Sequence, residues 1–284
     1  PMQAQRVFVI FNVAFVFVCA YFWKRVTGWS SLSSILLVLA AGSSLANNIS
    51  FGQLYLIMTA LLLLSMHLLN NGRTWVPGMI LGVLAAVKYY PIVIVAGLIA
   101  LLIADPTKKR IYLNTILSFL MTLSVLIVAQ FAFFGSGVMR EYFTSAFLPH
   151  LASDLKGQGM YSMLFQSWDS LGRNLFVYDP VENPDPWISW TAGRTLLKLL
   201  ATTFFVIATA LVMYANRKSS RRQEVFIAIS ALATLAILPA SATYHYILLL
   251  LPVSLLVSVD NNWVSIGLFV VIGFIPYGFF FSLA

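Results

Sequence analysis

The side chains best suited to chemistry in this chain are few, and they stand beside apolar runs. Lys88 is the one charge in residues 76–104, VPGMILGVLAAVKYYPIVIVAGLIALLIA. His245 lies between Tyr244 and Tyr246, just after the turn that begins at Pro239 and just before a leucine run. Both are candidate cations at the ends of short or broken membrane segments, the depth at which an anionic lipid-linked phosphate would need its charge matched. A histidine there can also donate to a phosphate or trade a proton near neutral pH. Gln53 and Asn48 add amides able to bond sugar or phosphate, although amides at a helix turn are equally ordinary caps. The competing reading of Lys88 is one tilted, kinked helix whose lysine snorkels to a headgroup.

Other constellations are missing or weak. Gly157-Gln-Gly159 lacks the strand–turn–helix setting of a nucleotide-binding loop. No serine–histidine–acid set stands out. His67, late in an apolar segment, reads as structural, and His150 follows Pro149 in the one long loop. Cys19 is the single cysteine, which excludes an intramolecular disulfide and a thiolate metal cluster. No metal and no cofactor is called for.

These candidates must be positioned by membrane helices. The chain of 284 residues is 60% hydrophobic and 9% charged, too apolar for a soluble domain. The net charge of +8 would suggest nucleic acid in a soluble protein, but here the basic residues gather in short loops, so topology explains them and no nucleic-acid partner is implied. Apolar runs at about 7–23, 32–47, 54–69, 76–88, 91–104, 111–134, 195–215, 225–238, 246–259 and 263–281 predict an all-α polytopic fold of about ten segments. As one helix, 76–104 would be ~43 Å long against a hydrocarbon core of ~30 Å. Pro91 predicts a break near Tyr89–Tyr90 and hence two short segments forming a broken hairpin at Lys88–Pro91. With that hairpin and an outside start, ten of the seventeen basic residues fall inside, among them Lys24, Arg25, Arg73, Lys108, Lys109, Arg110, Arg217, Lys218, Arg221 and Arg222. Residues 47–53, Lys88, the loop 135–194 and 239–246 then share the outer face.

The whole of 1–284 reads as one transmembrane domain. Within its outer loop, Tyr161, Leu164, Phe165, Trp168, Leu171 and Leu175 recur at helical spacing, which predicts an interfacial amphipathic helix with Gln166, Asp169 and Arg173 toward water or a site. Trp187 and Trp190 fit an interfacial anchor at the start of the next span.

Gly52-Gln53-Leu54-Tyr55 opening an apolar helix, the run Gly82 to Lys88-Tyr89-Tyr90-Pro91, Tyr161-Ser162-Met163-Leu164 and Pro239 to Tyr244-His245-Tyr246 occur in that order. Together they resemble the GT-C glycosyltransferases of family 87, over about residues 47–252. The resemblance implies transfer of a sugar, mannose in characterised members, from a polyprenyl-phosphate donor to a lipid or glycan hydroxyl on the outer face of a cell membrane, in bacteria the plasma membrane. Lys88 and His245 would then serve the donor phosphate, with Gln53, Ser162 and Tyr244 lining the pocket and the loop helix covering it. Two departures stand out. The family pattern has asparagine two residues after the glutamine, where this chain has Tyr55. It also places a catalytic aspartate in the first outer loop, yet nothing before Asn47 is acidic, so that residue is expected upstream of Pro1 and the chain as given is expected to be inactive. Asp154 and Asp169 are the fallback acids.

A transporter or flippase for a lipid-linked or anionic substrate is the competing class, since broken helices and an intramembrane lysine suit it too. It should show interrupted helices in matching pairs, and the sequence shows one interrupted segment.

Overall fold

The computed structural model describes residues 2–88, 90–151, 161, 167–237, 242–260 and 263–274, and their regular structure is helical. In chain order come α1 (Met2–Thr27), α2 (Ser31–Leu39), α3 (Gly42–Ser50), α4 (Tyr55–Asn70), α5 (Trp75–Val87), α6 (Pro91–Ala104) and α7 (Lys109–Tyr142). A short α8 (Leu148–Leu151) follows, then α9 (Trp168–Phe176), α10 (Thr191–Asn216), α11 (Arg222–Ile237), α12 (Leu250–Asp260) and α13 (Trp263–Phe274). A tight 3₁₀ turn, Thr243–Leu249, leads into α12.

Among the described residues, three stretches are long and apolar enough to cross a bilayer: Arg6–Thr27, Pro106–Phe147 and Thr191–Asn216. A fourth is added if α2 and α3, bent by 70° at their break, form one span. The other apolar helices, such as α4, α5 and α6, are shorter. Their apolar surface is not all internal. Phe17, Val125, Val128, Phe204 and Leu211 are well exposed, which suits helices whose outer faces meet lipid tails.

The chain divides into two compact units, one of residues 1–123, 213–232 and 244–284, the other of 124–212 and 233–243. In the first, α1 packs along α4. Cys19, Trp23, Leu56 and Leu63 are completely buried there, and Cys19 Sγ donates to the Leu56 carbonyl at 3.4 Å. A few residues earlier on α1, Asn12 lies in the interior and accepts from Asn48 Nδ2 of α3 at 3.0 Å. Helix α5 lies against the start of α7 through Gly78 and Gly82. A Cβ on Gly78 would stand 2.3 Å from the Thr115 carbonyl oxygen, and one on Gly82 would stand 2.9 Å from that of Phe119. Small residues four apart let helix backbones approach closely in a membrane, where the hydrophobic effect does not drive helices together.

Four elements differ from the sequence reading. The apolar run 32–47 is not one segment but the bent pair α2–α3. The break is filled by another backbone: a Cβ on Gly42 would be 2.2 Å from the Gly273 oxygen, and Ser43 Oγ donates to that same carbonyl at 3.0 Å. Hydropathy cannot register such a bend, because the residues on both sides of it are apolar or small. The chain therefore holds a second interrupted apolar segment besides the one at Lys88, and the lack of a counterpart no longer counts against a transporter. Helix α7 runs beyond residue 134 through a kink at Gly135 (φ 77°), so the start of the expected loop 135–194 is helical. Helix α9 begins only at Trp168, because Ser167 is extended, and of the two orientations open to its polar face, water or a protein interior, it takes the second. Asp169 and Arg173 are buried while Trp168 and Leu171 are exposed. The polar face can turn inward because its charges neutralise one another, as described below.

Candidate functional site

The site is built on a break and a turn. Helix α5 ends at Val87, Lys88 is extended (φ −149°, ψ 132°), and α6 starts with Pro91 in its first turn, so the expected interruption is present. Proline at that position removes only an N–H that has no partner in the helix anyway. On another part of the chain, Gly52 takes a left-handed φ of 63°, and the Gln53 N–H closes the end of α3 onto the Asn48 carbonyl at 2.8 Å. That turn releases the chain into α4, whose first residue is Tyr55.

Tyr55 joins the candidates. Its hydroxyl and His245 Nε2 share a hydrogen bond of 2.6 Å, and the two ring centres are 4.4 Å apart. Lys88 Nζ lies 5.5 Å from the centre of the same Tyr55 ring, the range of a cation–π contact. Tyr244 stacks on Tyr55 at 5.5 Å, and Phe51 closes edge-on against Tyr244 at 6.2 Å. Tyr55 and His245 are buried, Lys88 is exposed, and among the described residues no carboxylate pairs with Lys88.

The backbone adds to this arrangement. Tyr55 opens α4, Lys88 caps the C-terminal end of α5 three residues before α6, and His245 lies in the first turn of the 3₁₀ segment leading into α12. The break after α5, the start of α4 and that turn therefore bring a lysine, a histidine and a tyrosine hydroxyl to one aromatic ring. With Lys88 unmatched by a carboxylate among the described residues, the place suits an anion such as a phosphate.

The other candidates fall as follows. Gln53 is half-buried next to the cluster, and its Nε2 donates to the Phe51 carbonyl at 3.3 Å. Asn48 is completely buried; its Nδ2 donates to Asn12 while its Oδ1 has no hydrogen-bond partner among the described residues. Ser162 and Asp154 lie outside the described residues, as do Gln166 and the side chain of His150. His67 sits at the end of α4 with Asn71 Nδ2 3.2 Å from its Nε2, in keeping with a structural role. Tyr55 is the residue that sequence reasoning missed as a participant. It was visible only as a departure from the family pattern.

Asp169 is the centre of a separate cluster in the second unit. It accepts from Arg194 through Nε at 3.0 Å and Nη2 at 2.9 Å, and from Arg173 Nε at 3.1 Å, with Lys198 Nζ at 3.6 Å. Burial alone would raise this carboxyl, but Arg194, Lys198 and Arg173 hold it below the ordinary carboxylate range. A carboxylate so held is a weak proton acceptor, and this one ties α9 to α10 rather than standing ready as a base.

A third polar cluster lies at the far end of α6. Asp105 caps that end and is paired with Arg222; the Thr107 backbone N–H donates to it at 3.2 Å. The Tyr112 hydroxyl lies 3.3 Å from Asp105 Oδ2 and 3.1 Å from Gln223 Oε1, and Gln223 Nε2 donates to Asn70 Oδ1 at 2.7 Å. The ends of α4 and α6 and the starts of α7 and α11 are thereby clasped together. Burial would raise the Asp105 carboxyl, yet Arg222, Thr107 and Tyr112 bring it down to about 2.

No curated protein and no solved structure matches this chain. The family model for glycosyltransferase family 87 does, over residues 1–241. That match covers the Gly52–Tyr55 turn, the Lys88–Pro91 break and the loop between α8 and α10, and it shows that the chain belongs to glycosyltransferase family 87.

Proposed function

We propose that this glycosyltransferase takes its sugar, mannose, from a polyprenyl-phosphate donor and passes it to a hydroxyl of a lipid or glycan acceptor at the outer face of a bacterial plasma membrane, which the chain enters through about ten membrane segments. One observation carries this reading: Lys88 and His245 meet around the ring and hydroxyl of Tyr55. As the glycosidic bond to the phosphate breaks, negative charge grows on the departing lipid phosphate. Donors already fixed in place stabilise that charge without having to reorganise. Lys88 supplies a mobile full charge, and His245, oriented by Tyr55, supplies a directed imidazole. Lys88 and His245 lie 5.5 Å and 4.4 Å from one ring centre, so they can be no further apart than those two distances laid end to end. That separation suits two contacts to one phosphate. Gln53 and Tyr244 stand next to it, on the side we assign to the sugar, and we carry Ser162 as a further pocket residue. The acceptor hydroxyl must lose its proton to a carboxylate. Asp169 is unsuited, being committed to three cations.

The test is transfer by the full-length protein in membrane vesicles. Radiolabelled polyprenyl-phosphate mannose should yield a labelled acceptor, while a nucleotide-activated mannose should yield none once synthesis of the lipid donor is blocked. Transfer directly from the nucleotide sugar would overturn the donor assignment. Vectorial movement of labelled substrate without transfer would favour a transporter.

A further inference from the structure

A second place in the first unit has the chemistry of a ligand site and lies far from the first. Helix α6 runs fourteen residues away from the Lys88 end, about 20 Å at ~1.5 Å per residue. Beside its last turn is a cavity of about 500 Å³, floored by buried Phe226 and walled by Ile103 and Met213, with Tyr214, Arg217 and Lys218 at its rim. Ile103 is 81% exposed and Tyr214 64%, so the apolar wall is open toward the surroundings of the helices.

The charges here are not all alike. Residues 217–222 carry four basic side chains. Arg222 is paired with Asp105, and Arg221 with Glu224 at 3.8 Å. Arg217 and Lys218, the two on the cavity, have no carboxylate partner among the described residues. Arg217 is nonetheless held in place: its guanidinium carbon lies 3.6 Å from the centre of the Tyr214 ring, and its Nη1 donates to the Tyr214 carbonyl at 2.6 Å. That bond uses one of five N–H donors and leaves a fixed fork free for an oxyanion. The C-terminal ends of α6 and α10 oppose an anion, but together they amount to about one negative charge, against two full positive ones. The surplus of about one positive charge matches a phosphodiester.

We propose that this cavity binds an anionic glycerophospholipid from the adjoining leaflet. The phosphodiester bonds to Arg217 and Lys218, and one acyl chain lies along Ile103 and Met213 over Phe226. An apolar floor meeting a matched pair of cations fits a molecule that is an acid at one end and a hydrocarbon at the other. This site does not depend on the donor assignment made above.

The test uses the full chain purified in detergent, with phosphatidylglycerol and phosphatidylcholine of identical acyl chains as probes. Native mass spectrometry counts the retained lipid and thermal unfolding measures stabilisation. Phosphatidylglycerol should be retained about tenfold over phosphatidylcholine and should raise the unfolding temperature. The double variant Arg217→Gln/Lys218→Gln should lose that preference and that shift, whereas Arg221→Gln should keep both. Met213→Trp, which fills the cavity without altering charge, should also lose retention. Each variant is accepted only if its lipid-free unfolding temperature equals that of the parent. Equal retention of the two lipids would overturn the proposal, as would unchanged phosphatidylglycerol binding in both the double variant and Met213→Trp. So would a full thermal shift from inorganic phosphate alone.

Discussion

Tyr55 touches both Lys88 and His245, and its side chain divides cleanly into two functions. The ring faces Lys88, and the hydroxyl fixes His245. Tyr55→Phe keeps the ring and removes only the hydrogen bond. It should lower kcat for donor turnover several-fold with little change in donor KM, since the bond orients a group that works as the phosphate departs. Lys88→Ala should cost about 2–4 kcal/mol of transition-state stabilisation, the scale of one preorganised electrostatic contact. Lys88→Arg should retain part of it, because a planar fork does not reproduce a point charge. His245→Ala should be comparably harmful and His245→Gln milder. Transfer kinetics on inserted, folded protein check all five, and normal turnover by Lys88→Ala would remove the phosphate role and favour the snorkelling reading. Lys88 and His245 were legible in the sequence because ionisable groups are costly in apolar surroundings. Tyr55 was not. A tyrosine at the start of a membrane helix is unremarkable, and its partner lies 190 residues away.

At the scale of the elements, two devices hold the helices in place. The first is the glycine face of α5. Gly82→Val would drive a side chain into the Phe119 carbonyl and Thr122, and should destabilise the protein by about 2–4 kcal/mol. Gly267→Ala, with nothing within 4 Å of the new carbon, serves as the neutral comparison. Unfolding temperatures in one detergent decide between them. The second device is the Asp105 clasp. Its carboxyl sits at about 2 in the folded chain, below the 3.8 of an unperturbed aspartate. The stabilisation this represents is therefore fully present above the unfolded value and drains away as the pH falls toward 2. Asp105→Asn should lower stability at neutral pH and flatten its pH dependence between about pH 5 and 2. Sequence reading counted Arg222 among the loop cations, did not single out Asp105, and so could not pair them. For α9 it left Asp169 and Arg173 toward either water or a site, because periodicity reports that a helix has two faces and not which one is buried. The Asp169 cluster decides that question.

For the molecule as a whole, composition sufficed to establish a helical membrane protein, and four short motifs sufficed to suggest its family. The bend between α2 and α3 was invisible, since it depends on Gly42 meeting Gly273, 231 positions apart in the chain. Sidedness is the global property still to be measured. Charge counts put residues 47–53, Lys88 and 239–246 outside and the Lys108–Arg110 run inside. Cysteines introduced singly at positions 73 and 156 in a Cys19→Ala background should react with an impermeant reagent from the inner and the outer side, respectively. Labelling of position 73 from outside would reverse the arrangement and move the candidate site to the other face.

The paired amides of Asn12 and Asn48 have a consequence for how the chain is made. Asn12 has a local partner, the Phe8 carbonyl at 3.0 Å, and a distant one 36 residues later. When α1 leaves the ribosome only the first exists. An amide in hydrocarbon seeks a bond, and one made across helices is worth about 1 kcal/mol. Helix α1 therefore enters the bilayer with an unanswered acceptor until α3 arrives. Helix α1 is not an independent anchor in biogenesis but one half of a pair. A leucine at either position should ease insertion of its own helix while weakening the recognition that brings the two together.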